Sequence, residues 1–343
     1  MENVKILFFG TTDDSVLVLD KLFNFHLPTS IIQLQVIVTQ PPRPVGRNHD
    51  ITPTPVNLWA DTHQITCLSF NADPEKPWLY ENESDVTRKI NANDFDLIIS
   101  ACYGQKIPES VIRKAKYGGI NIHPSVLPLW RGADPVPWTI ISGDSKTGVT
   151  LVTISDKFDQ GKIINQELLD IREEINSDLI RTKLFDLGAR LLIKALPRFL
   201  SGEMPGVPQD PDKSTYSRKV NREDGFIPWD TIQNAVNGKT VQESPEIKNL
   251  PVFVSLAKYN ITPNDFTPLA EVIRRMFIGL SPWPGIWTLF NNRNQVSGIM
   301  KHELRLKIVL LHMDDQTNNL VLDQVQLEGK NPVSFKQFKE AYL

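Results

Sequence analysis

Residues 4–9 form a nearly unbroken apolar run, Val-Lys-Ile-Leu-Phe-Phe, that stops at Gly10. A strand buried on both faces of a parallel sheet has this texture. Runs at 33–39, 95–101, 120–123 and 148–154 predict four more strands. Between them lie helical patterns: one following Gly10 to about Phe25, one over 54–62, a short one opened by Pro108, and one over 134–142. A longer helix is predicted over 177–200. Its apolar positions Leu179, Ile180, Leu184, Leu187, Leu191, Leu192 and Leu196 line one broad face. Strands alternating with helices predict an α/β fold with a mainly parallel, doubly wound sheet.

The pattern changes after a proline-rich stretch holding Pro205, Pro208 and Pro211. Short β-type runs near 285–290, 304–312 and 319–327 suggest a smaller β-rich domain or barrel. The expected division is a catalytic domain over 1–204, a linker over 205–214 and a second domain over 215–343. A chain of 343 residues is long enough for two cores.

Charge refines this division. Residues 1–215 carry 22 Lys+Arg and 27 Asp+Glu, a balance of −5, and residues 216–343 carry 15 and 13, a balance of +2; together they give −3. The mildly basic second part permits a nucleic-acid partner without requiring one. No apolar run is long enough to cross a membrane. The two cysteines, Cys67 and Cys102, lack metal-type spacing and suit a reduced compartment. With a strand beginning by Val4 and no signal peptide, the expectation is a prokaryotic cytoplasm; a mature organellar form without its leader would look the same.

Candidate chemistry centres on Asn121 and His123. They sit two apart on a predicted strand, so both point to one face at its carboxyl end, where open α/β sheets place ligands. An amide beside an imidazole can hold and polarise a carbonyl oxygen. Asp159 follows 36 residues later (159 − 123). It either fixes and charges the imidazole or makes a turn with Gln160 and Gly161. The first turn reads Gly10-Thr-Thr-Asp-Asp-Ser where a dinucleotide site wants Gly-x-Gly-x-x-Gly, which weakens a dehydrogenase reading. Arg43 and Arg47 lie in a proline-rich loop over 41–55, as solvated charges or as readers of phosphate or carboxylate.

These residues carry a resemblance. Asn121-Ile-His123-Pro-Ser125-Val-Leu-Pro128, Arg131-Gly132, Gly148-Val-Thr and Phe158-Asp159-Gln-Gly161 together resemble the formyltransferases that use 10-formyltetrahydrofolate. The segments Phe8–Thr12, Thr39–Arg47, Thr215–Lys219, Gly225–Trp229, Pro282–Gly285 and Leu327–Lys330 are similar, in order, to the methionyl-tRNA formyltransferases. The resemblance implies a Rossmann-like catalytic domain followed by an OB-like domain. It implies formyl transfer from 10-formyltetrahydrofolate to the α-amine of methionine on initiator methionyl-tRNA, without a metal. It also implies roles: Asn121, His123 and Asp159 as the catalytic trio, Ser125, Val126, Leu127 and Pro128 as the turn against the folate, and Arg47, with Arg43, against the tRNA. A cytoplasmic monomer with no membrane attachment is the expectation. The chain departs from the family at Asn48-His49-Asp50, Leu129 and Asp14, and carries a longer segment near 238–270. The alternatives are a related enzyme acting on a small amine, such as a nucleotide or amino sugar, and a non-enzymatic tRNA- or folate-binding protein.

Overall fold

The computed structural model describes residues 2–25, 30–46, 49–171, 176–291 and 303–343. In chain order the first elements are β1 (Glu2–Gly10), α1 (Asp13–Phe23), β2 (Ser30–Thr39), β3 (Arg43–Val45), β4 (Asp50–Thr52), α2 (Pro55–Thr62), β5 (Cys67–Ser69), α3 (Glu83–Asn91), β6 (Leu97–Ala101), α4 (Glu109–Lys114), β7 (Gly119–His123) and β8 (Arg131–Gly132). Then come α5 (Pro135–Ser142), β9 (Lys146–Thr153), β10 (Ile163–Asp170), α6 (Ser177–Leu200) and β11 (Tyr216–Ser217). Two compact units result. One holds Met1–Pro135, Lys146–Asp170 and Arg181–Ser217, and the other Val136–Ser145, Ile171–Ile180 and Arg218–Leu343.

The first unit is built on a seven-stranded sheet of order β10-β9-β7-β6-β1-β2-β5. The pairs from β5 to β7 are parallel, while β9 and β10 add an antiparallel edge. Ile6, Leu7, Phe8 and Phe9 of β1 have no exposed surface, so the central strand is covered on both faces. Because β1 connects to β2 on one side and pairs with β6 on the other, the strand order reverses there. Such reversals open a crevice at the carboxyl ends of the strands.

Local chemistry starts the helices. The Ser15 hydroxyl accepts from the N–H groups of Thr11 and Thr12 and donates to the Ala101 carbonyl, tying the first turn to the end of β6. The Thr54 hydroxyl accepts from Asn57 N–H, so Thr54 caps α2 and the helix proper begins at Pro55. The proline-rich stretch over 41–55 is more ordered than the loop read from sequence: β3 and β4 pair antiparallel as a small exposed hairpin. The elements β5, α3 and β10, unassigned from sequence, complete the unit. β5 has three residues, and α3 buries only Val86 and Ile90, too few positions to mark a period.

In the second unit, α7 (Trp229–Val236), α8 (Pro251–Ala257) and α9 (Leu269–Gly279) precede β12 (Ile286–Asn291), β13 (Glu303–Met313), β14 (Leu320–Leu327), β15 (Val333–Ser334) and α10 (Phe335–Tyr342). The four strands form one antiparallel sheet in sequence order. The longer segment near 238–270 contributes Val241, Ile247, Leu250, Val252, Phe253 and Leu256 to the buried set, so it is part of this unit's core. At the unit's start, fully buried Asp224 takes two hydrogen bonds from the Arg218 guanidinium and one from Asn221 N–H.

Candidate active site

Two faces of β7 do different work. Ile120 and Ile122 are buried, and α6 lies against that side: a Cβ at Gly188 would meet Ile122 Cγ2 at 2.5 Å and Val149 Cγ2 at 2.8 Å. Strand alternation sends Asn121 and His123 to the opposite face. His123 is 4 % exposed.

Beyond the strand, Pro124 starts a turn held from several directions. Ser125 donates its hydroxyl to the Leu129 carbonyl at 2.7 Å. The Thr150 hydroxyl, across from His123 on β9, donates to the Ser125 carbonyl and accepts from Leu127 N–H and Gln166 Nε2. The Leu127–Pro128 peptide is cis, and Trp130 has a φ of 60°. The turn delivers the Trp130 carbonyl oxygen to His123 Nε2 at 2.9 Å. A carbonyl only accepts, so Nε2 carries a hydrogen and donates. Ser125 and Leu127 are buried inside this turn, while Val126 and Pro128 are partly open.

Asp159 arrives from the loop between β9 and β10, with a φ of 54°. Its Oδ1 accepts from Asn121 Nδ2 at 3.1 Å and lies 3.5 Å from His123 Nδ1. Its Oδ2 accepts from Gly132 N–H at 2.9 Å. Gly132 has a φ of 97°, and a Cβ there would meet the Ser217 carbonyl oxygen at 2.5 Å. Glycine alone meets both demands. The loop backbone is clamped by Gln209, whose Nε2 donates to the carbonyls of Asp159 and Gly161. Gln209 in turn accepts from buried Arg131 through Nε and Nη2.

Asn121, His123 and Asp159 are thus brought together. Arg43 sits exposed on β3, and Arg47 lies outside the described residues. Asp156, the other acid of the loop, lines an open cleft of about 480 Å³ instead. Trp78, Lys106, Lys157, Phe158 and Tyr216 share this cleft with Gly132, the glycine that holds Asp159. Sequence reasoning assigns no role to Gln209, Trp78, Lys106, Lys157, Phe158 or Tyr216. The run Asp156-Lys157-Phe158 directly before Asp159 is the available signal. Among the described residues no cluster of His, Cys, Asp and Glu is arranged to hold a metal ion.

At the end of β6, burial pushes the Cys102 thiol up to about 12, with the nearby Asp14 carboxylate adding to the rise. It is therefore a poor nucleophile at neutral pH. Asp14 is itself buried, paired with Arg181 at 2.5 Å and accepting from the Thr182 hydroxyl.

Comparison with known proteins adds three findings. A family model described as formyl transferase matches residues 3–196. Methionyl-tRNA formyltransferase from Listeria monocytogenes serotype 4a (strain HCC23) is 38% identical over 238 residues, covering 68% of this chain and 72% of that protein. The enzyme of the same name from Staphylococcus epidermidis (strain ATCC 35984) is 34% identical over 290 residues, covering 84% and 77%. Among solved structures, a 4-N formyltransferase from Francisella tularensis aligns with a TM-score of 0.55 at 14% identity, covering 88% of this chain and 97% of that one. A sugar 3N-formyl transferase, solved in the presence of dTDP and 5-N-formyl-THF, aligns at 0.52 and 13% identity, covering 96% and 99%. At such identities the structural matches establish the fold.

Proposed function

The chain belongs to the methionyl-tRNA formyltransferase family, and we propose that Asn121, His123 and Asp159 form its reaction centre. The reaction moves the formyl group of 10-formyltetrahydrofolate onto the α-amine of methionine carried by initiator methionyl-tRNA. The observation that carries the assignment is the single carboxylate oxygen of Asp159 that both holds Asn121 and faces His123.

The amine nitrogen attacks the formyl carbon, and the carbonyl oxygen becomes an oxyanion. Asn121 uses one amide hydrogen on Asp159 and keeps its second for that oxygen. His123 Nε2 is engaged by Trp130, which leaves Nδ1, at 3.5 Å from Asp159, as the nitrogen facing the reacting atoms. The free Asn121 amide hydrogen stabilises the developing charge by roughly 3 kcal/mol, and Nδ1 adds a second donor in the imidazolium form, in which both ring nitrogens carry hydrogens. The bond between the formyl carbon and folate N10 then breaks. The proton released by the amine passes through Asp159 to that departing nitrogen, so charge balances without a covalent enzyme intermediate.

The cleft beside Asp159 is read as the folate site. Its volume lies within the ordinary range for cofactor pockets, and Trp78, Phe158 and Tyr216 offer flat apolar faces. Val126 and Pro128 are the open members of the turn available to a ligand, while Ser125 and Leu127 shape it from inside. Exposed Arg43, with Arg47, is read as meeting acceptor-stem phosphates, since hairpin arginines suit such contacts. A cytoplasmic location fits this role.

The test supplies labelled 10-formyltetrahydrofolate with either charged initiator tRNA or small amines, including amino sugars. Label is expected on methionyl-tRNA; label on small amines alone overturns the substrate assignment.

A further inference from the structure

We propose that the second unit carries a binding site for a small apolar monocarboxylate, in a pocket that the longer segment near 238–270 forms with α5 and α9.

The pocket has a volume of about 200 Å³, and all of its lining residues belong to the second unit. Helical spacing builds its floor. Phe253 and Leu256 lie three apart on α8, and Val272 lies on α9. With Ile141 of α5 they make four buried apolar side chains. Gly279 lets α9 approach α5 closely, since a Cβ there would meet Ile141 Cγ1 at 2.9 Å. The other side of the pocket is polar. Ser142, Thr262, Asn264 and Thr267 share it with Arg275, the one charged side chain among the described lining residues.

Arg275 sets the charge of the ligand. It follows Val272 by three residues, on the same side of α9. Its Nε donates to Glu271 at 2.6 Å, and among the described residues the other four guanidinium hydrogens have no partner. Gly143, with a φ of 87°, leaves the room that the guanidinium fills: a Cβ there would collide with Nη1. Such a planar edge binds a carboxylate through two parallel hydrogen bonds. An ammonium group finds no counterion, because no acidic side chain is among the described lining residues and Glu271 is engaged by both Arg274 and Arg275. The ligand is therefore a simple acid and not a zwitterionic amino acid.

Size and apolarity set the rest. An apolar cavity of about 150 Å³ holds benzene, so this pocket suits a ligand of about eight non-hydrogen atoms. A nucleotide needs a site in the wider range of about 300–1,000 Å³. The rim is already shaped. Thr267 N–H donates to the Asn264 carbonyl and Phe266 N–H to Asn264 Oδ1, both at 2.9 Å. Val241 N–H donates to the Thr267 carbonyl at 3.1 Å, and Gln242 N–H to the Asp265 carbonyl at 2.9 Å. Binding then orders little backbone, which favours even a small ligand.

The experiment titrates the full chain with 4-methylpentanoate by ligand-detected NMR. A Kd of about 0.1–1 mM is expected. The uncharged 4-methylpentanamide, and leucine, which adds an α-ammonium to the same skeleton, are expected to bind at least about tenfold more weakly. Arg275→Gln is expected to lose about ten- to hundredfold in affinity. Thr262→Trp sets a bulky ring on the exposed rim and is expected to abolish binding; it decides the matter if Arg275→Gln does not fold. Hydrogen exchange over 258–267 is expected to slow at saturating acid, which locates the ligand. Absence of binding to the wild type overturns the proposal. So does equal binding of the amide or of leucine, an unchanged Kd in Thr262→Trp or in folded Arg275→Gln, or slowed exchange confined to other segments.

Discussion

Asp159 Oδ1 accepts from Asn121 at 3.1 Å while standing 3.5 Å from His123 Nδ1. The contact to the imidazole is longer than a closed hydrogen bond. The carboxylate thus anchors the amide and leaves the ring a small freedom of approach. Losing either partner should show in turnover before it shows in substrate binding. His123→Ala and Asp159→Asn are each expected to lower kcat by about 10²–10³-fold with KM for the folate changed less than threefold. Steady-state kinetics with both substrates varied checks this, and near-normal kcat in either variant removes that residue from the chemistry.

Gln209 touches no reacting atom in the proposed scheme, yet it fixes the backbone of Asp159 and Gly161. Gln209→Ala is expected to lower kcat about tenfold with little effect on KM. It should cost about 1–2 kcal/mol of stability, because two carbonyls and the Arg131 guanidinium lose partners. Denaturant unfolding beside kinetics separates the two effects, and an unchanged kcat shows that the loop holds its shape without the clamp.

At Gly132 the backbone is left-handed and the Ser217 carbonyl occupies the place of a Cβ. Gly132→Ala is expected to destabilise the protein by about 1–3 kcal/mol and to displace the N–H that holds Asp159 Oδ2. Thermal unfolding and kcat should fall together; an alanine variant with full activity and stability contradicts the assignment of this N–H.

Burial raises the Cys102 thiol to about 12, against an ordinary value of 9.0. The sign follows directly. Above about pH 9 the unfolded chain ionises this thiol while the folded chain keeps its proton. Stability from the group is full below pH 9 and declines as pH rises towards 12. Urea unfolding of Cys102→Ala against wild type across this range should show a shallower alkaline decline in the variant. A parallel decline would remove the thiol as its cause.

Arg43 lies on the exposed hairpin of β3 and β4. Arg43→Ala is expected to raise KM for methionyl-tRNA about two- to fivefold and to leave KM for the folate unchanged. An unaltered tRNA KM takes Arg43 out of the contact.

The central strands are legible in the sequence because burial on both faces leaves an apolar run, as in Ile6 to Phe9. β10 is not, since Asn165, Gln166 and Glu167 interrupt it at the sheet edge. The proposed reaction centre is half legible. Asn121 and His123 announce themselves by strand alternation, but the approach of Asp159 depends on a loop reversal at positive φ, which no periodicity encodes. The Trp130 carbonyl that orients His123 is invisible for a simpler reason: every residue has a carbonyl, and only the turn aims this one. Gln209 acts across 50 residues from a stretch that reads as mere connection.

Thr150 gives its only hydrogen to Ser125 and fills both lone pairs from Leu127 and Gln166, so its hydrogen-bonding valence is complete. Valine has nearly the same shape and none of these bonds. In the proposed scheme catalytic competence is therefore vulnerable at a position no substrate reaches, and a drift from threonine to valine there would loosen the turn that aims the Trp130 carbonyl at the imidazole.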